Sequence, residues 1–244
     1  MADRSAVIRR AGIALAWRPE WPVAVVVALG WVLLAVGHAA SAHHHHGAPG
    51  VLAIPVLTGV AIGGWALMSV AMMGPVALPA VRHVGLNSIR RRRQWAMAVY
   101  VASYLAVWVM FGVLALALVG ILRSAGVSDH QLVVGALVVA TGWQLTKWKR
   151  RAVLACRRTV PLPPTGWRAD YGCVRFGFRQ AGRCVVSCGP LMLLMAVIGH
   201  SNLIVMAALT AAIVAEQRAP AGKRLIPLLA GALAMATVWT ILFG

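Results

Sequence analysis

The sequence predicts an all-α membrane protein, a single polytopic bundle of seven transmembrane helices. Two patterns carry that prediction. Apolar residues recur in runs of near-spanning length, and a bilayer core needs about 20 apolar residues per helix. Of the 23 Lys and Arg residues, 22 fall in four segments that alternate with those runs, whereas six of the eight His fall in the other gaps and a seventh, His38, ends the run before the first of them. Short cytoplasmic loops concentrate Lys and Arg, so the basic segments mark the inner face and the imidazoles the outer one.

Taken in order, residues 1–20 form a cytoplasmic N-terminal segment with Arg4, Arg9, Arg10 and Arg18. The first run is Trp21–Ala40. Ala40-Ser41-Ala42 offers a small-residue cleavage pattern, but Trp21 to Val36 is long for a leader's apolar region, so the run reads as a retained span. An outer His-rich loop at 41–50 follows. The second run, Val51–Val81, carries Met73-Gly74-Pro75 and Pro79. Proline removes a backbone donor, so a break is expected here, with neighbouring groups or an ion satisfying the freed carbonyls.

Arg82 through Arg93 is the second basic segment, with five Arg. Trp95–Leu122 leads out to the short gap Arg123–His130, and Gln131–Leu145 leads back. A basic cytoplasmic loop at 147–183 carries ten Lys or Arg. Its Pro161-Leu162-Pro163-Pro164 run argues against helix. Cys184–Ile198 and Leu203–Ala215 then form a hairpin about Gly199-His200-Ser201-Asn202, before the last run, Leu225–Phe243. If 184–216 were one broken span the total would be six. Seven keeps Arg218, Lys223 and Arg224 inside, with the N-terminus inside and the C-terminus outside, and leaves only Arg123 on the outer side. Residues 1–244 read as one integral membrane domain.

Composition narrows the function. Hydrophobic residues make up 61% of the chain and charged residues 11%, against roughly 25% charged in a globular domain. A net charge of +18 would suggest nucleic acid in a soluble protein. Here the basic runs flank apolar spans, where anionic headgroups attract each cation by about 1 kcal/mol. The partner is therefore the lipid bilayer, and no nucleic acid is expected. An Ala-, Val- and Arg-rich composition with little Lys points to a bacterial plasma (inner) membrane. Cys156, Cys173, Cys184 and Cys188 all fall on the reducing side, so free thiols are expected rather than disulfides. No nucleotide loop, dinucleotide fingerprint or nucleophile elbow occurs. Ser69 and Ser187 have no base nearby, so no catalytic residues are assigned and no enzyme is expected.

Two groups of side chains suggest metal chemistry. On the outer side His43, His44, His45 and His46 are consecutive, His38 precedes them, and Asp129-His130 and His200 occupy the other outer gaps. Imidazole suits Cu, Zn and Ni, and a carboxylate can complete such a site. The competing reading is a solvated polar loop. Within the spans, Met68 and Met72 lie one helical turn apart, and Cys184, Cys188, Met192 and Met195 are spaced 4, 4 and 3, one helix face. Thiolate and thioether select soft ions such as Cu(I), although Met and buried Cys also serve as ordinary apolar packing. The expected metal set is His43–His46, His130, His200, Met68, Met72, Cys184 and Cys188, with copper first and zinc second. Gln144 and Glu216, near the inner ends of their spans, are polar groups at membrane depth. For Glu216, a pair with Arg218 or another basic loop residue is expected.

Trp65-Ala66-Leu67-Met68-Ser69-Val70-Ala71-Met72-Met73-Gly74-Pro75, closed by Leu78-Pro79, resembles the hallmark of a family of predicted metal-binding integral membrane proteins, a domain of unknown function. Tyr104 through Trp108, Gln144-Leu145-Thr146 with Lys149, Cys156-Arg157, Cys184 to Met192, and Gly199, Asn202, Met206 and Glu216 match its later blocks in order. The resemblance runs from about Trp65 to the C-terminus. This chain departs from it at Ser187, where the family has a second adjacent Cys, at Gly189, where it has Trp, and at Ala152, where it has Cys. The tetra-His loop lies outside the matched region. The resemblance implies metal handling. The expected function is binding and handling of copper, with a non-catalytic accessory subunit of a larger membrane metalloenzyme complex as the alternative.

Overall fold

A computed structural model describes residues 18–43, 59–199, 202–218 and 222–243. Among them are eight α-helices and no strand: α1 (Trp21–His43), α2 (Gly59–Asn87), α3 (Arg93–Ser124, entered by a short 3₁₀ turn at Arg90–Arg92), α4 (Asp129–Gln144), α5 (Lys147–Cys156), α6 (Trp167–Ile198), α7 (Leu203–Arg218) and α8 (Gly222–Phe243). Five are long and apolar enough to cross a membrane: α1, α2, α3, α6 and α8. Their outward faces carry Val26, Leu29, Val36, Met110, Leu114, Ile121, Met235, Trp239 and Phe243 in the open. An apolar surface of this extent marks contact with lipid rather than water.

The packing contacts close a circuit. α2 packs on α3, α3 on α6, α6 on α4, α4 on α8, α8 on α7, and α7 back on α2, while α1 lies against α2. Small residues permit the closest approaches. A Cβ at Gly177 in α6 would lie 2.8 Å from the Tyr100 carbonyl oxygen of α3, and one at Gly112 in α3 would overlap the Trp65 indole of α2.

Two sequence expectations change. The break expected at Met73–Pro79 does not occur, because α2 runs unbroken to Asn87. Prolines 75, 79 and 190 each remove the donor for the carbonyl four residues earlier, and in every case a side chain from another helix replaces it. The Trp31 indole donates to Ala71 O at 3.0 Å, the Arg218 guanidinium donates to Pro75 O, and the Trp143 indole donates to Val186 O at 2.8 Å.

The basic segment 147–183 is mostly helix rather than loop: α5 and the first half of α6 lie within it, and only 157–166, with the proline run, lies outside helix. Its helices are amphipathic. α5 buries Lys149, Ala152, Val153 and Cys156, while α6 buries Cys173, Phe176, Gly177 and Gln180 and exposes Arg175 and Arg179. The 184–216 region holds the two helices of the expected hairpin rather than one broken span: α6 ends at Ile198, capped by Gly199, whose φ of +80° favours glycine.

Candidate metal centre

The polar core of the bundle is assembled by three short motifs. In Gln144-Leu145-Thr146 with Lys149, each side chain has a separate job. Gln144 ends α4 and points inward. Thr146 caps α5, its hydroxyl accepting from Lys149 N at 3.2 Å. Lys149, fully buried, sends its ammonium into the core. There its Nζ lies 2.7 Å from Glu216 Oε2 and donates to Ser187 O at 2.9 Å. Gln144 Nε2 donates to the other Glu216 oxygen at 3.2 Å. Glu216 therefore pairs with Lys149 rather than Arg218. A buried charge is tolerated only when it is paired and hydrogen-bonded, and this pair is both.

Next to Glu216 on α7, Gln217 turns toward the thiols. Its amide nitrogen lies 3.3 Å from Cys188 Sγ and 3.8 Å from Cys184 Sγ. Cys184 sits between Cys156 and Cys188, within interaction range of both thiols and of the Tyr104 hydroxyl. Cys184 is 1% exposed and Cys188 0%, whereas Cys156, at the end of α5, is 9% exposed. All four cysteines are free thiols, as the sequence led us to expect. Gln180 donates to Cys156 O at 2.6 Å, which ties the third thiol to the helix that carries the other two.

The thioethers share this core. Met68, Met72, Met73, Met192, Met195 and Met206 are all buried in the same apolar cluster as Cys184 and Cys188. Met192 lies one turn beyond Cys188 on α6. Met68 and Met72 lie on α2, and α2 and α6 share few direct contacts because both pack on α3. Among the described residues no group of three or more His, Cys, Asp or Glu is placed to hold a metal ion. The thiols form a row, not a closed cage.

Of the expected outer ligands, His44, His45, His46 and His200 lie outside the described residues, as does the side chain of His43. His130 is exposed, and its Nε2 lies 3.0 Å from Thr240 O, near the end of α8. Sequence reasoning missed Gln217 and the third thiol, Cys156. The spacing of Cys184, Cys188 and Met192 identified one helix face, but nothing in the spacing revealed what the neighbouring helices turn toward it.

No curated protein and no solved structure matches the chain. A family model does, across residues 62–240, and its description is PpoB2, copper chaperone. That match takes in every described residue of the polar core and thiol row, so the chain belongs to the PpoB2 copper chaperone family.

Proposed function

We propose that this protein is a multi-pass carrier of copper in a bacterial plasma membrane, taking up Cu(I) at the buried thiol pair Cys184 and Cys188. The observation that carries this reading is the pair itself: two free, fully buried thiols on one face of α6, held by one amide from α7, with Met192 one turn away. Thiolate and thioether sulfur prefer Cu(I) to harder ions. A fully buried pair also keeps the ion away from water and from competing ligands. Family membership supports copper over zinc.

In the same proposal the short helices α4 and α7 join the five long ones to make seven spans, with the basic segments cytoplasmic, the N-terminus inside and the C-terminus outside. Each short helix has 16 residues, about 24 Å at 1.5 Å per residue, enough for a thinned or locally hydrated bilayer. His43–His46, His130 and His200 would then collect copper on the outer face, and Met68 and Met72 would offer thioethers on the far side of α3. The protein binds and passes on the ion without chemical turnover.

The test is the Cu(I) stoichiometry of the detergent-purified, untagged chain. Near-stoichiometric copper lost in the Cys184→Ser/Cys188→Ser variant supports the inner site. Copper unchanged in that variant removes it, and copper lost only when His43–His46 are replaced makes the protein an outer-face binder.

A further inference from the structure

The thiol row has an entrance. A cavity of about 300 Å³ at the basic end of the bundle is lined by Cys156, Arg157, Arg158, Gln180, Gln217 and Arg218, with apolar walls from α2 and Phe176. Its polar lining includes the outermost thiol and the amide that holds the two inner ones. No Asp or Glu lines it, since the Glu216 carboxylate turns the other way, onto Lys149. Arg158 and Arg218, with Arg157 beside them, give the lining a net positive charge. Arg157 and Arg218 are also anchored, donating to Glu216 O at 3.1 Å and to Pro75 O respectively.

We infer that this cavity is the loading port for Cu(I), and that it takes the ion as an anionic complex with a small carboxylate-bearing thiol. The inference rests on the copper reading above and adds the donor and the route. A cuprous ion held by two thiolates has a negative core, and carboxylates on those thiols keep the whole complex anionic, so a cationic cavity attracts it where free metal cations would be repelled. The volume is that of a small-molecule site, toward the low end of the roughly 300–1,000 Å³ such pockets occupy, and not that of a protein docking surface.

Transfer proceeds by ligand exchange without change of oxidation state. The Cys156 sulfur forms a bond to copper, one donor thiolate leaves, and the Cys156 proton departs on it. Cys184 displaces the second donor thiolate in the same way, leaving copper between Cys156 and Cys184. Cys188 then bonds copper while its proton returns to Cys156, so the ion ends between the two innermost thiols and the entrance thiol is reset. Each step breaks one Cu–S bond and forms one.

The experiment follows copper per chain over time, by rapid desalting and elemental analysis of the full chain in detergent. Copper is supplied as the Cu(I) complex of mercaptosuccinate (anionic), of cysteamine (cationic), or of acetonitrile. The expected result is loading from mercaptosuccinate about tenfold or more faster than from cysteamine. Arg158→Glu should reduce that ratio. Cys156→Ser should slow loading from mercaptosuccinate while leaving final loading from acetonitrile intact, which also shows that the variant is folded. Equal rates from the two thiol complexes, or a Cys156→Ser variant that loads from mercaptosuccinate at the original rate, would overturn the port. Failure of the unaltered chain to load even from acetonitrile would instead sink the copper reading on which the port depends.

Discussion

At the scale of single residues, the Lys149–Glu216 pair dominates the polar core. Both side chains are at most 1% exposed, so neither can turn to water if its partner is lost. Removing one member of such a pair leaves an uncompensated buried charge, which costs about 3–5 kcal/mol, whereas replacing both with apolar groups is often neutral. Lys149→Met should therefore lower thermal stability in detergent by that amount, and Lys149→Met/Glu216→Met should recover most of it. A double variant no more stable than Lys149→Met alone would mean that the pair is not a self-contained unit. The residue type was legible in the sequence, but its role was not. Lys149 lies in a segment of ten Lys and Arg and reads there as one more topology signal. Only the fold shows that it is the one α5 cation turned into the core, a consequence of Thr146 starting the helix three residues earlier.

At the scale of elements, Pro75, Pro79 and Pro190 are each matched by a donor from another helix. Trp143→Phe leaves Val186 O without its replacement partner on a face that the proposed topology turns to lipid, where no water can replace it, and should cost about 1–3 kcal/mol. In a Pro190→Ala background the backbone donor returns, so the same substitution should cost much less; a thermal double-mutant cycle reads the difference. Close packing makes a second demand. Gly177→Ala places a methyl 2.8 Å from the Tyr100 carbonyl, and the resulting overpacking should cost about 1–3 kcal/mol on the same assay.

Apolar runs made the existence of most helices legible, but not their limits. α6 begins at Trp167, far ahead of the expected Cys184, because its first half is amphipathic and its arginines mask the buried stripe from an average over hydropathy. The continuity of α2 was equally hidden. The donors that mend it, Trp31 and Arg218, stand 40 and 143 residues from the carbonyls they satisfy, beyond the reach of any local pattern.

At the scale of the whole molecule, the circuit of helices brings α4, α5, α6 and α7 around one polar centre, although no two of its motifs are adjacent in sequence. The orientation proposed for it is directly testable. A cysteine introduced at the exposed Ser128 should react with a membrane-impermeant maleimide on intact spheroplasts, while one at Ile89 should react only after lysis. The opposite pattern would invert the topology and put the basic cavity outside.

The same arrangement has a consequence for ion choice. Every carboxylate among the described residues is paired: Glu20 with Arg82, Asp129 with Arg123, Asp170 with Arg92, and Glu216 with Lys149. Magnesium and calcium bind through such hard, charged oxygens. On the described surface and in the core, they would find each carboxylate already paired with a guanidinium or an ammonium. Among the buried side chains of the core, thiol and thioether sulfur remain outside these pairs. In the copper-carrying role proposed above, the described residues would offer abundant hard ions little that they prefer to bind.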